Sequence, residues 1–292
     1  MPDAARATAH AKVNLLLRVL AREADGFHGI ETLFCRISLA DELTVERIAA
    51  GVTLETDATD LGPAERNLAV LAAEQVLAAT GRRFGVRIGL SKHIPVGAGL
   101  GGGSSDAAAT LLAVNALAGN AVPRHELLQL AARLGSDVPF LVSGASLALA
   151  WAHGDRMMRL PPLPAAPMLL LTPPRPVSTA SAYAWVDAAR QGPFRRGALA
   201  LDLDALSSWG DVGRMAGNDF ESPVFEHHPE VRAAFEALAG THPLVCRMTG
   251  SGSTLFAIYR SARDRDDAKM MLGRKHGTVL PADTLAGPPA TP

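Results

Sequence analysis

Pro95-Val96-Gly97-Ala98-Gly99-Leu100-Gly101-Gly102-Gly103-Ser104-Ser105 is the stretch on which the reading of this 292-residue chain turns. Five glycines fall within seven positions and are followed by two serines. Without Cβ atoms such a backbone adopts positive φ and lies close against a ligand. Consecutive N–H groups can then converge on an anion. Upstream, Val86, Ile88 and Leu90 alternate with Arg87, Gly89 and Ser91, the pattern of a half-buried strand. Downstream, Asp106 to Ala118 is an Ala-rich stretch with helical character, whose first turn would add unpaired N–H groups and a positive dipole end. A flexible linker or tight turn is the alternative, but a linker does not fit between a strand and a helix in mid-domain. The stretch reads as a phosphate cradle.

Two common cradles do not match. Gly97-x-Gly99-x-x-Gly102 fits the dinucleotide fingerprint, which expects the loop to follow its strand directly and an acidic residue some 20 positions on, at the end of a second strand. Here Lys92 to Val96 intervene, and Glu126 lies in a helical stretch. No lysine precedes Ser104 or Ser105, so the P-loop pattern fails as well. A nucleotide-dependent oxidoreductase stays open as a second reading.

Further out, Thr8 to Leu20 reads as a strand, alternating first and then continuously apolar, and Leu43–Ile48 and Val52–Thr56 as short strands around Gly51. Asn67 to Thr80 has helical spacing and stops at Gly81; a second helix runs from about Pro123 to Leu134 and stops at Gly135. The Pro-rich segment Leu160–Pro167 is the best linker, which divides the chain into domains 1–160 and 161–292. Beyond it, Met168–Leu171 reads as a strand and Pro229–Ala239 as a helix. Val245–Met248 and Thr254–Tyr259 are two strands around a glycine turn, and Arg263–Leu272 is a final helix. The tail after Pro281 is expected to fray. Strands and helices mix without strict alternation, so the fold class is α+β with two domains.

Composition narrows the function. The formal net charge is −1, without the basic surplus of a nucleic-acid binder. No window reaches the length of a membrane helix, and the N-terminus lacks the apolar core of a signal peptide. Cys35 and Cys246 are far apart and form no Cys-x-x-Cys pair, which speaks against a zinc site or disulfide scaffold and for a reducing, cytoplasmic setting. Nearly all basic residues are Arg; the only lysines are Lys12, Lys92, Lys269 and Lys275. A lysine kept inside an apolar stretch of such a chain is a candidate for chemistry.

The cradle resembles the central ATP-binding motif of the GHMP kinases. Ala11-Lys-Val-Asn-Leu15 resembles that family's N-terminal motif and Thr249-Gly-Ser-Gly-Ser-Thr254 its C-terminal glycine motif, so three motifs stand in order along nearly the whole chain. Asp25-Gly-Phe-His28, Gly135-Ser-Asp-Val-Pro139 and Asn218-Asp-Phe-Glu221 are similar to the branch acting on a cytidine diphosphate-linked methylerythritol, with Phe27 where Tyr is more usual. The resemblance implies a ribosomal-protein-like ATP-binding domain and a smaller ferredoxin-like substrate-side domain. It also implies transfer of the ATP γ-phosphoryl to the 2-hydroxyl of that small-molecule acceptor, on the non-mevalonate route to isoprenoid precursors. Homoserine or mevalonate kinase is the alternative within the family, and a non-catalytic nucleotide-binding module the alternative outside catalysis. The resemblance assigns the cradle Pro95–Ser105 to ATP. Mg²⁺ is expected with the nucleotide, to neutralise its β- and γ-phosphates, with Ser105 as the candidate to touch it and no separate metal site.

Individual residues carry two readings each. Asp137 is the candidate base for the acceptor hydroxyl; before Val138-Pro139 it is equally an ordinary helix N-cap. Lys12 is the candidate to keep that carboxylate charged and orient the hydroxyl, or else an ordinary lysine on a solvated strand face. Asn14, two residues on, shares its face. Phe27 and His28 suit a flat nucleobase, or simply a surface turn. Tyr183 and Trp185 are candidates for a second aromatic wall, or for core packing. His227-His228 reads as surface decoration rather than a metal site.

Overall fold

The computed structural model describes residues 2–24, 26–59, 61–190 and 202–287, with only the backbone at 205. Two long strands, β1 (Ala4–Arg22) and β2 (His28–Ile48), pair antiparallel and form the spine of the first sheet. β2 begins well before the expected Leu43. Polar side chains facing inward hid its first half: Thr32 and Arg36 are buried among apolar neighbours. Arg36 satisfies its guanidinium on the carbonyls of Phe140, Leu141 and Ala145, so a charged residue occupies a core position.

The first unit continues with β3 (Val52–Thr56), α1 (Leu68–Ala79), β4 (Gly85–Ser91), α2 (Gly102–Leu117), α3 (Arg124–Leu134), α4 (Val138–Ser143), β5 (Leu147–Ala152) and β6 (Arg156–Arg159). β5 and β6 were not anticipated. β4 lies between β2 and β3, antiparallel to the first and parallel to the second, while β5 pairs with β2 and β6 with β5. Asn67 caps α1 by accepting from the Ala69 N–H at 2.9 Å. α2 starts at Gly102, four residues before the expected Asp106. Gly101 turns the chain into it from the left-handed region, and the Ser105 N–H closes the first turn on the Gly101 carbonyl at 2.8 Å. The glycines are poor helix formers, and burial against β1 and α1 outweighs that: Ala107, Ala108 and Leu111 are all in the core.

The second unit comprises β7 (Pro167–Thr172), α5 (Thr179–Ala189), α6 (Trp209–Met215), β8 (Gly217–Asn218), α7 (Glu221–His227), α8 (Pro229–Ala239), β9 (Val245–Met248), β10 (Leu255–Ile258), α9 (Ala262–Leu272) and β11 (Thr278–Asp283). Its antiparallel sheet has the order β11-β7-β10-β9. As far as Gly287 the tail after Pro281 does not fray as expected, and residues 288–292 of that tail lie outside the described residues. β11 is an edge strand, where a proline costs no ladder bond if its nitrogen faces outward, and Thr284 then bridges to Ile37 of β2. The two-residue β8 returns to the first sheet and pairs parallel with Leu16 and Leu17 of β1. An apolar layer joins the units: Val13, Leu15 and Ile37 from the first pack with Met168, Leu170 and Phe256 from the second. Among the described residues no helix is long and apolar enough to cross a membrane.

Two register shifts in the β1–β2 pairing, at His10/Lys12 and at Asn14/Leu16, position everything that follows. A bulge frees backbone groups from the ladder and re-aims side chains. The Lys12 N–H is given to the Leu100 carbonyl at 3.0 Å, and the Asn14 N–H to Thr249 Oγ1 at 3.2 Å. One strand thereby holds the glycine stretch on one side and the β9–β10 turn on the other.

Candidate active site

The glycine stretch takes positive φ at Gly97, Gly99 and Gly101 (69°, 76° and 71°). Space as well as conformation demands glycine at two of them. A Cβ on Gly99 would lie 2.5 Å from the Thr249 carbonyl oxygen, and one on Gly101 would lie 3.0 Å from Lys12 Cε and 3.4 Å from Asp137 Oδ2. Gly102 is different: it is helical, and a Cβ there meets Ile94 and Lys92.

The loop separates two cavities. On one side lies a cleft of about 380 Å³ lined by Pro95 to Ser104 with Asn67, Lys92 and Asp106. On the other lies a cavity of about 850 Å³ between the two units, lined by Lys12, Asn14, Phe27, His28, Asp137 and Tyr183 among others. Gly99, Gly101 and Ser104 face both. Whatever the cradle holds in the first cleft therefore abuts the side chains of the second.

Lys12 is buried, and its Nζ is 2.9 Å from Asn14 Oδ1, 3.0 Å from the Gly99 carbonyl and 3.3 Å from Asp137 Oδ2. Asp137 occupies the N-cap position of α4 but makes no capping bond; its carboxylate turns to Lys12 instead and stays about a quarter exposed. Asn14 bonds within the protein through both ends of its amide. Its Nδ2 donates to Thr32 Oγ1, and its Oδ1 accepts from Lys12, Thr249 Oγ1 and the Gly250 N–H. It holds Lys12 in place and ties the first unit to the second.

The large cavity also has an aromatic wall. Phe27 is 67% exposed there, with its ring centroid 5.6 Å from that of His153. His28 stacks on Tyr183 at 5.0 Å, and Tyr183 in turn meets Phe220 edge-on at 4.9 Å. Burial, and next the nearby Asp137 charge, raise the Tyr183 phenol above its ordinary pKa. Trp185 does not join this wall. Two residues on along α5 it points elsewhere and stacks on His227 at 4.2 Å. His227 bonds the Pro223 carbonyl, and no cluster of three metal-ligating side chains exists among the described residues. Ser105 is also turned away: it is buried and donates to the His10 carbonyl, whereas Ser104 faces both cavities.

Sequence reasoning missed a buried ionic group beneath the loop. Lys92 Nζ bonds Asp41 Oδ2 and, at 2.8 Å, Asp106 Oδ2, while Asp41 Oδ1 accepts the N–H groups of His93 and Ile94. Asp41 thus fixes the chain entering the glycine stretch, and Lys92 ties that entry to the first turns of α2. Burial pushes the Asp106 carboxyl up to about 7, against the pull of Lys92. The scarcity of lysine was the available signal for Lys92; two isolated aspartates offered none. Asp187, 2.7 Å from His28 Nε2, was missed as well.

Comparison with known proteins agrees with this arrangement. Models of the GHMP kinases N terminal domain and the GHMP kinases C terminal domain match residues 67–145 and 200–278. The chain is 39% identical over 273 residues to 4-diphosphocytidyl-2-C-methyl-D-erythritol kinase of Moorella thermoacetica, covering 92% of this chain and 94% of that protein. It is 37% identical to the kinase of the same name from Cupriavidus metallidurans, over 94% and 89% of the two chains. A crystal structure of a 4-(cytidine 5'-diphospho)-2C-methyl-D-erythritol kinase superposes with a TM-score of 0.80 at 36% identity, over 96% of this chain and 99% of that one. Homoserine kinase from Cytophaga hutchinsonii, at 20% identity and a TM-score of 0.70, shares the fold. With two family models matched in order and relatives of this identity along nearly its full length, the chain belongs to the GHMP kinase family.

Proposed function

We propose that this protein transfers the γ-phosphoryl group of ATP to the 2-hydroxyl of 4-diphosphocytidyl-2-C-methyl-D-erythritol, with Asp137 as base and Lys12 as charge stabiliser. The observation that carries the reading is the Lys12–Asp137 pair, 3.3 Å apart on the acceptor side of a glycine cradle open to both cavities. The triphosphate lies against Pro95–Ser105, where backbone N–H groups and the N-terminus of the 16-residue α2 favour negative charge. Asp137 accepts the proton of the attacking hydroxyl. Lys12, held by Asn14 and the Gly99 carbonyl, keeps that carboxylate oriented and offsets the charge that develops on the transferred group. Catalysis here is chiefly positioning, because phosphoryl transfer asks little covalent chemistry of the protein.

The size and lining of the larger cavity favour a long acceptor. A mevalonate or homoserine site needs cations for a small carboxylate. Here, beside Arg22, the cavity offers Phe27, His28 and Tyr183, which suit a cytosine ring. Binding energy gained there can be used to place the reacting hydroxyl. Mg²⁺ bound with the nucleotide supplies charge neutralisation at the β- and γ-phosphates. Ser104, in the first turn of α2 and lining the cleft, is the residue that fits it, and Ser105 is not. We divide the chain at 160/161, with the ATP side in 1–160 and part of the acceptor wall in 161–292, and assign the protein to the cytoplasm, which suits its two free cysteines.

The test is product identity. With γ-labelled ATP and the cytidylated alcohol, the label is expected on the 2-hydroxyl with the diphosphate bridge intact. Label found on water alone, or on another position, contradicts the reading.

A further inference from the structure

One polar contact in the large cavity has no part in the chemistry above. Asp187 comes from α5 of the second unit, and its Oδ1 lies 2.7 Å from Nε2 of His28, the first residue of β2 in the other unit. The imidazole is nearly buried, at 6% exposure, while the carboxylate is 39% exposed. Stacking on Tyr183, with the ring planes 21° apart, sets the plane of the imidazole, and Phe220 backs Tyr183 edge-on. Plane and contact together leave the ring one orientation.

That orientation has a chemical consequence. An ionised carboxylate only accepts hydrogen bonds, so Nε2 of His28 carries a proton, and a ring with a single proton is bare at Nδ1. Nδ1 then carries a lone pair, and nothing among the described residues hydrogen-bonds it. The site therefore offers an acceptor. Cytosine carries an amino donor at its fourth position, and uracil carries a carbonyl acceptor there. Nδ1 pairs with the first and is opposed by the second.

We propose that Asp187 is a specificity-determining positioning residue: by fixing the tautomer of His28 it makes the site read the amino group of cytosine and reject uracil. The proposal rests on the reading above, that the cytidyl end of the acceptor occupies this cavity. Asp187 acts through His28 and need not touch the base. Specificity of this kind comes as much from the opposed pair as from the favourable one.

Titration calorimetry of the full chain with CDP and with UDP tests it. The wild type is expected to bind CDP about tenfold or more tightly than UDP, the scale of one made versus one opposed hydrogen bond. Asp187→Ala should reduce that ratio to about threefold or less, and Asp187→Glu, which keeps a carboxylate, should restore part of it. A merely structural role would weaken both ligands alike and leave the ratio unchanged, which overturns the proposal. A wild type that shows no preference overturns it together with the cytidyl placement beneath it. A preference kept in full by Asp187→Ala removes the proposal alone. Nitrogen-15 NMR of His28 in the CDP complex is the second measurement: a proton on Nε2 with Nδ1 bare supports the proposal, and a proton on Nδ1, alone or with one on Nε2, contradicts it.

Discussion

At the scale of single residues the account depends on Asp137 and Lys12. Asp137→Asn is nearly isosteric and keeps the α4 terminus, so both substrates should still bind while kcat falls by about two to four orders of magnitude, the range for loss of a general base. Lys12→Met should lower kcat through the lost charge. Because the two side chains lie 3.3 Å apart and act together, the double variant should be no slower than the slower single one. Steady-state kinetics with both substrates decides this, and full activity in Asp137→Asn would leave that residue as a chain-turning position only. His28→Ala should raise KM for the cytidylated acceptor about tenfold and leave KM for ATP nearly unchanged, since the ring lines only the larger cavity. Lys12 and Asn14 were legible from the period-two rule that puts them on one strand face. The function of Asn14 was not, because its partners Thr32, Thr249 and Gly250 come from three distant parts of the chain. Trp185 shows the converse limit. Being two residues from Tyr183 suggests a shared wall on a strand, but on α5 that spacing turns it away from the cavity.

At the scale of elements, the glycine loop can be tested by comparing positions that look alike in sequence. Gly97 and Gly99 both have positive φ, but a Cβ on Gly97 meets nothing within 4 Å whereas one on Gly99 strikes the Thr249 carbonyl at 2.5 Å. Gly97→Ala should therefore cost only backbone strain, about 1 kcal/mol. Gly99→Ala must push the loop off the β9–β10 turn, and should weaken ATP binding by calorimetry at least about tenfold more than Gly97→Ala does. Equal losses at the two positions would remove the loop-to-turn contact from the account. The presence of a strand, loop and helix here was readable from alternation, glycine density and an alanine-rich run. The start of α2 was not, because intrinsic propensity places Gly102 and Gly103 outside a helix and only tertiary packing brings them in. The first half of β2 was hidden by a similar override, a buried Arg36 whose hydrogen bonds go to the end of α4.

At the scale of the whole molecule, a buried ionic group inside the first unit makes stability depend on pH. The Asp106 carboxyl is raised to about 7 by burial. An acid whose folded pKa lies above its unfolded value binds its proton more tightly when folded, so its contribution to stability is greatest at low pH and is lost as pH rises towards 7. Asp106→Asn keeps an oxygen for Lys92 and removes that titration. The melting temperature of the variant relative to wild type should accordingly rise between about pH 4 and pH 7 and then level off. A difference that stays constant across that range would show that Asp106 does not titrate as described. The overall α+β class followed from element order. The return of β8 to the first sheet did not, because two residues carry no periodicity.

The central claim is that a kinase cradle and a base-lined cavity on its far side together select a cytidylated alcohol. The most direct measurement is kcat/KM, in a coupled ADP-release assay, for 4-diphosphocytidyl-2-C-methyl-D-erythritol against methylerythritol phosphate, mevalonate and homoserine at saturating Mg²⁺-ATP. The account predicts turnover of the first with at least about a thousandfold preference over each of the others, the scale on which remote binding energy is converted into rate. Faster turnover of mevalonate or homoserine than of the cytidylated alcohol would contradict it.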